Sequence, residues 1–182
     1  MDKQMMVELI RNSLEKLAEK DKNILKQKMS KLGKSTEKEK LLNRELHETT
    51  LNHRLAFYIE TELISKEILN YFVDIEYNRN FSDAKRVKIS GVKIPVRPDI
   101  LIHKRMNVEK EENANLLVIE AKKHKTSKHD IDKVKAFIND LDYNYKFGLT
   151  ISYAYNENEI KSILYYKSES NKIINEEINV KR

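Results

Sequence analysis

The stretch RPDILIHKRMNVEKEENANLLVIEAKKHK, from Arg97 to Lys125, contains two apolar runs that each meet a carboxylate. Asp99 comes directly before ILIH, and Glu120 directly follows LLVI. The polar segment between the runs predicts two neighbouring strands in an antiparallel hairpin. The unbroken run LLVI is typical of a strand that is buried on both faces, so an acid at its end needs an explanation.

The register of this hairpin decides where its charged side chains lie. If Ile100 pairs with Ile119, Asp99 lies opposite Glu120, with the Cβ atoms about 5 Å apart. Lys122 shares the face of Glu120, because strand side chains alternate. Two carboxylates at that distance repel unless one is protonated or a cation lies between them. Since Mg²⁺, Mn²⁺ and Ca²⁺ prefer oxygen ligands, the pattern favours a divalent metal site beside an ammonium.

One long helix is predicted before these strands and another after them. Apolar residues recur every four positions within residues 44–69, which predicts a helix with one apolar face. Glu48 lies one turn before Leu51, at the edge of that face. After the second strand, Ser127 is a predicted N-cap with Asp130 in the first turn of the helix.

The order of the elements predicts the fold class. Strand-like segments are VDIEYN, KRVKISGVKIPV with a turn at Ser90–Gly91, FGLTISYAY and ILYYKS. The order is then helix, three or more strands, helix, strand and strand. This order predicts an α/β fold in which helices flank a central mixed sheet.

Composition excludes several classes of protein. The chain has 182 residues, 40% of them hydrophobic and 35% charged, which suits one domain with a core of its own. It has no Cys, so disulfides, thiol nucleophiles and Cys-based metal sites are excluded. Its longest apolar runs are far too short to span a membrane, and the polar start does not resemble a secretory signal. We therefore expect a cytoplasmic protein with no membrane partner.

The positive charge is concentrated near the N-terminus. Of the net charge of +6, residues 1–44 carry +5 and the other 138 residues carry +1. Apolar residues at helical spacing predict that residues 1–44 form a basic helical arm, with residues 45–182 as a separate domain. On this interpretation, a chain beginning near Lys40 should still fold. The arm could bind phosphates, or it could simply be a solvated lysine-rich surface.

The hairpin also carries a family resemblance. Pro98-Asp99, then twenty residues, then Glu120-Ala121-Lys122 resembles the signature of the PD-(D/E)XK nuclease superfamily. The resemblance covers about residues 45–152, and NHRLAFYIE and EYNRN are similar to segments of small bacterial members. It implies a restriction-endonuclease-like core, extended here by the N-terminal arm, and hydrolysis of phosphodiester bonds with Mg²⁺ or Mn²⁺.

The resemblance also implies roles for individual residues. The implied metal ligands are Glu48, Asp99, Glu120 and the Ala121 carbonyl. The implied catalytic residues are Asp99, Glu120 and Lys122, where Lys122 orients or helps to activate the attacking water. Lys123, Lys125 and Lys128 would hold the phosphate backbone of the nucleic acid. Glu45 is a weaker alternative to Glu48, and Lys135 resembles an accessory lysine or glutamine of the family.

Other polar residues have two possible interpretations. His103, which the register places opposite Leu116, could line the cleft or be a polar group at a strand end. His53 and Arg54 could touch substrate or form ion pairs on their own helix. The tyrosines are typical of strands and core, and a base-stacking platform is not predicted.

Three functions remain open from the sequence. The leading one is a metal-dependent endonuclease acting on nucleic acid, with DNA favoured over RNA. Such an enzyme would serve restriction or phage defence, and a homodimer is one possible arrangement. The second is a non-catalytic module on the same fold that binds nucleic acid. The third is an interaction protein whose basic arm recruits a partner. The third function predicts no metal affinity.

Overall fold

The computed structural model describes residues 1–25, 48–77, 79–80, 83–89, 91–105, 114–153 and 158–182. The helices of this part are α1 Lys3–Lys20, α2 Lys22–Leu25, α3 Glu48–Ser65 and α4 Lys128–Asn139. The strands are β1 Phe72–Ile75, β2 Arg79–Asn80, β3 Asp83–Ala84, β4 Arg86–Ile89, β5 Val92–Pro95, β6 Ile100–His103, β7 Asn115–Lys122, β8 Phe147–Ser152, β9 Glu159–Lys167, β10 Ile173–Glu177 and β11 Val180–Lys181. Glu45 and the expected start of the long helix near Arg44 lie outside the described residues.

Seven strands form one sheet. Its order is β1-β6-β7-β8-β9-β10, and β11 also pairs with β9. β7 and β8 run parallel, and the other neighbours in this sheet are antiparallel. β2 with β3 and β4 with β5 form two separate hairpins. The chain is therefore a mixed α/β protein with a mostly antiparallel sheet, which confirms the prediction at this level.

Helices cover both faces of the sheet. Alternate residues of β7, including Ile119 and Ala121, share a hydrophobic cluster with α1 and α3. Val118, on the other face, packs in a cluster with Phe137 of α4. β7 is buried on both faces because it lies between these two layers, as its apolar run predicts.

The N-terminal helix belongs to the core. Five apolar side chains of α1 are at most 1% exposed: Met6, Leu9, Ile10, Leu14 and Leu17. They lie in the same cluster as Leu55 and Ile59 of α3, and Lys16 forms an ion pair with the buried Glu62. The apolar face of α1 is therefore covered by α3, and the described part of the predicted arm packs against the rest of the protein. The predicted boundary between residues 44 and 45 lies outside the described residues.

α4 begins as its sequence predicts. The Ser127 side chain accepts a hydrogen bond from the Asp130 backbone N–H, and the Asp130 carboxylate accepts one from the Ser127 N–H. This capping box satisfies two backbone donors at the helix start. Gly148 of β8 lies beneath the helix, and a Cβ there would come within 2.2 Å of Val134 Cγ1. Glycine therefore allows α4 to approach the sheet closely.

The central hairpin has the predicted register over most of its length. Ile100 pairs with Ile119 in an antiparallel ladder. A bulge between Ile102 and His103 then shifts the pairing, so His103 lies opposite Asn115 and the prediction of Leu116 is wrong. A bulge adds one residue to one strand and displaces every later pair. The shift lies at the far end of the hairpin from Asp99.

No helix in the described part of the chain is both long enough and apolar enough to cross a membrane.

Candidate active site at the end of strands β6 and β7

Four charged side chains from three elements meet at one end of the hairpin. Asp99 comes directly before β6, Glu120 and Lys122 lie at the end of β7, and Glu48 is the first residue described in α3. The antiparallel register places the start of β6 beside the end of β7. The structure therefore places Asp99, Glu120 and Lys122 at the same end of the hairpin, and α3 brings Glu48 to Lys122.

The Lys122 ammonium lies among three oxygen atoms. Its Nζ is 3.0 Å from the Ala121 carbonyl oxygen, 3.2 Å from Glu48 Oε1 and 3.7 Å from Asp99 Oδ2. Burial lowers the pKa of Lys122, but Asp99 and Glu48 outweigh burial and the net pKa is raised. Lys122 is therefore a cation at neutral pH, and it neutralises two of the acids predicted to bind metal.

Asp99 is fixed by the neighbouring strand. Its Oδ2 accepts a hydrogen bond of 2.8 Å from the Ala121 backbone N–H. Burial raises the pKa of Asp99, and this hydrogen bond and the Lys122 charge offset the rise only in part. The carboxylate is thus oriented by backbone, while its environment makes the negative charge costly.

Glu120 is the most buried acid of the site. Its residue is 1% exposed, and its Oε2 accepts a hydrogen bond of 2.5 Å from Lys133 Nζ. Its Oε1 has no hydrogen-bond partner among the described residues. Burial raises the pKa of Glu120 to about 7, and the charge of Asp99 acts in the same direction. A buried carboxylate oxygen with an unused lone pair is a place where a cation or a donor could be bound.

Lys133 is the residue of the site that the sequence analysis missed. The sequence analysis named Lys135, but Lys135 Nζ lies 5.4 Å from the centre of the Tyr165 ring instead. Lys133 follows Asp130 by three residues and precedes Val134, and both of these neighbours are buried. Helical periodicity could therefore have placed Lys133 at the edge of the face that meets the sheet.

Glu48 ties α3 to the end of β7. One oxygen contacts Lys122 Nζ, and the other accepts a hydrogen bond of 2.8 Å from the Lys123 backbone N–H. Beneath it, the buried Tyr153 hydroxyl donates to Asn52 Oδ1 of α3 at 2.7 Å, and the Tyr153 N–H donates to the Lys122 carbonyl. Burial, then Asp99 and Glu48, raise the pKa of Tyr153, so it stays a neutral donor.

The predicted phosphate-binding lysines differ in exposure. Lys123 is partly buried, whereas Lys125, in the loop after β7, and Lys128, the first residue of α4, are exposed. Lys125 and Lys128 therefore have the accessibility that contact with a phosphate backbone requires, and Lys123 contributes its backbone N–H to Glu48.

Two other candidates have structural roles. His103 is buried and hydrogen-bonded to Asp74 at 2.8 Å, so it is the polar group at a strand end and not part of the site. Arg54 bonds to Asp21 at 2.9 Å and to the Tyr58 hydroxyl at 2.6 Å, which ties α3 to the end of α1.

The oxygen atoms of the site suit a hard cation in part. No three acidic or histidine side chains within the described ranges form a metal-binding group. Mg²⁺, however, is commonly held by one or two carboxylates together with waters and substrate phosphates. Asp99 and Glu120 place two carboxyl groups at this end of the sheet, and Glu120 Oε1 has no hydrogen-bond partner among the described residues.

Comparisons with family models, with curated proteins and with solved structures find no match to this chain.

Proposed function

We propose that this protein is a Mg²⁺- or Mn²⁺-dependent nuclease of the PD-(D/E)XK superfamily that hydrolyses phosphodiester bonds in DNA. The observation that carries the proposal is that Lys122 contacts both Glu48 and Asp99 at the end of β6 and β7 where the buried Glu120 also lies. Their elements follow the order that the resemblance implies. An acid stands on the preceding helix, a Pro-Asp before one strand, and a Glu-x-Lys at the end of the next.

Asp99, Glu120 and the Ala121 carbonyl would hold the ion, with Glu48 as a further ligand, directly or through water. When bound, the ion would supply Lewis-acid stabilisation of the charged phosphate and lower the pKa of a coordinated water. The Glu120 Oε1 atom fits this role because it is buried and has no hydrogen-bond partner among the described residues.

Side chains and backbone groups of the protein would bind the substrate phosphate and hold the acidic side chains in position. Lys122 presents a permanent positive charge next to Asp99, where it can contact a phosphate oxygen and orient the attacking water. The Ala121 N–H fixes Asp99, and Lys133 fixes Glu120. Lys125 and Lys128 lie beside the site and would contact the phosphate backbone of the bound strand.

A non-catalytic nucleic-acid-binding module on the same fold is the second candidate. One observation favours it: the Lys122 ammonium already neutralises the Glu48 and Asp99 carboxylates and donates a hydrogen bond to the Ala121 carbonyl. The Lys122 ammonium could then take the place of a divalent metal ion in this site. On that account, changing Lys122 would affect stability and would have no catalytic consequence.

A cleavage assay tests the proposal. Supercoiled DNA, linear duplex DNA, single-stranded DNA and RNA would each be incubated with the full chain in Mg²⁺, in Mn²⁺ and in EDTA. We expect cleavage of DNA in either metal and none in EDTA. Asp99→Asn should lower the rate at least about 100-fold, because it weakens an ion ligand and the local charge.

The matched control is Glu169→Gln, which removes one acid from the exposed turn between β9 and β10. It should cleave at the wild-type rate. If the wild-type chain cuts no substrate in either metal, the result would favour the non-catalytic nucleic-acid-binding module.

A further inference from the structure

The β4–β5 hairpin carries a dense positive charge. Residues 85–97 contain five Lys or Arg residues and no Asp or Glu. The exposed cations of this segment are Arg86, Lys88, Lys93 and Arg97. The fifth, Lys85, is buried and lies 5.1 Å from the centre of the Tyr143 ring. Four charges of one sign therefore face solvent from a segment that contains no acid.

The hairpin has two distinct faces. Val87 pairs with Ile94, and both pack in the cluster that contains Phe137 of α4. On the opposite face, Lys88 lies directly opposite Lys93. Since side chains alternate along each strand, the apolar residues anchor the hairpin to α4, and Arg86, Lys88 and Lys93 share the outer face.

The fold leaves this outer face largely unneutralised. Like charges directly opposite each other on two strands destabilise a sheet. Within the described part of the chain, no acid forms an ion pair with Arg86, Lys88 or Lys93, and Arg97 lies 3.5 Å from Glu76. A repulsive pair at the centre of an exposed ribbon is the arrangement expected of a surface that binds a polyanion.

We propose that the outer face of the β4–β5 hairpin is a docking surface for duplex DNA that delivers the bound duplex to the candidate site. The inference rests on the proposed function, because the docked duplex would be the substrate of that site. Arg97 precedes Asp99 by two residues, a span of at most about 7 Å along the chain. α4 supports the hairpin through Phe137 and the site through Lys133, so one helix fixes the two surfaces relative to each other.

The shape of the hairpin favours B-form DNA over duplex RNA. The two strands of a ribbon lie about 4.8 Å apart, and the major groove of B-DNA, about 12 Å wide, admits a two-stranded ribbon. The major groove of A-form RNA is deep and too narrow to be read by side chains. Lysine and arginine on the ribbon would contact the phosphates that border the groove.

The test measures binding without catalysis. The full chain and its Lys88→Gln/Lys93→Gln variant would be titrated onto a fluorescein-labelled DNA duplex in EDTA at several salt concentrations, with fluorescence anisotropy as the signal. Each phosphate contact contributes about 0.9 to the slope of log K against log salt, so the variant should lose about 2 from the magnitude of that slope. Relief of the Lys88–Lys93 repulsion should also raise the Tm by about 1–2 °C.

The control is Lys20→Gln/Lys22→Gln, which removes the same charge from exposed positions at the end of α1 and the start of α2. It should keep the wild-type slope. An unchanged slope in the hairpin variant, an equal loss in the control, or tighter binding of wild type to duplex RNA or single strands would overturn the proposal. Binding as expected without cleavage in Mg²⁺ or Mn²⁺ would support the docking surface and refute only the nuclease.

Discussion

Shortening Leu14 of α1 to alanine is expected to destabilise the whole protein. Leu14 has no exposed surface and lies in the cluster that joins α1, α3 and the sheet. A fully buried Leu→Ala change costs about 2–5 kcal/mol through lost transfer energy and a residual cavity. With a urea m-value of about 2 kcal/mol/M, the unfolding midpoint should fall by about 1–2.5 M.

Deleting residues 1–39 should have a larger effect. Five apolar side chains of α1 are at most 1% exposed, and burial of each contributes about 1.5–3 kcal/mol, so their loss removes about 8–15 kcal/mol. A domain of ordinary stability has only about 5–15 kcal/mol in total. A chain that begins at Lys40 is therefore expected not to fold, in contrast to the expectation from charge distribution alone.

Circular dichroism during urea unfolding measures both effects. The control is Met5→Ala, on the same helix but 37% exposed, which should change the free energy of unfolding by no more than about 0.5 kcal/mol. The reasoning would be refuted if the chain from Lys40 to Arg182 unfolded cooperatively at the midpoint of the full chain, or if Leu14→Ala behaved like Met5→Ala.

Further predictions concern pH, capping and the metal. Burial lowers the pKa of Lys85 from 10.5 to about 8, so the unfolded chain binds more protons than the folded chain between pH 8 and pH 10.5. As pH rises through that window, the free energy of unfolding of wild type should therefore increase by up to about 3 kcal/mol relative to Lys85→Met, as measured by urea unfolding. A difference that does not depend on pH would contradict this. Ser127→Ala removes the N-cap of α4 and should cost about 1 kcal/mol in the same assay; an unchanged midpoint would show that the cap contributes nothing. Glu48→Gln removes a charge beside Lys122 and should weaken Mn²⁺ binding in calorimetry, whereas unchanged affinity would exclude Glu48 as a ligand.

The hairpin and the helix cap could be predicted because local rules determine them. The apolar runs and the period of two fix which residues of β6 and β7 share a face, and the observed pairing of Ile100 with Ile119 follows. Ser127 and Asp130 are three residues apart, which is the spacing of a capping box. These features depend on neighbours in sequence or on one hairpin.

The remaining features depend on how distant elements dock. The spacing of Ile10, Leu14 and Leu17 predicts an apolar helix face, but only the fold shows that α3 covers it. The contact between Lys133 and Glu120 likewise depends on the position and rotation of α4 over β7, which sequence periodicity does not specify. The bulge before His103 arises in a hairpin whose polar loop carries no register signal, so no pattern in the sequence predicts it.

The central claim is that Asp99, Glu120 and Lys122 act together as one metal-dependent hydrolytic site. Calorimetric titration of Mn²⁺, run beside the DNA cleavage assay on the same preparations, tests it most directly. Glu120→Gln should lose both Mn²⁺ affinity and at least about 100-fold in cleavage rate. Lys122→Met should also lose cleavage but bind Mn²⁺ at least as tightly as wild type, because the ammonium no longer neutralises the oxygens of Glu48 and Asp99. Cleavage at the wild-type rate in Glu120→Gln, or a wild-type chain that neither binds Mn²⁺ nor cuts DNA, would contradict the account.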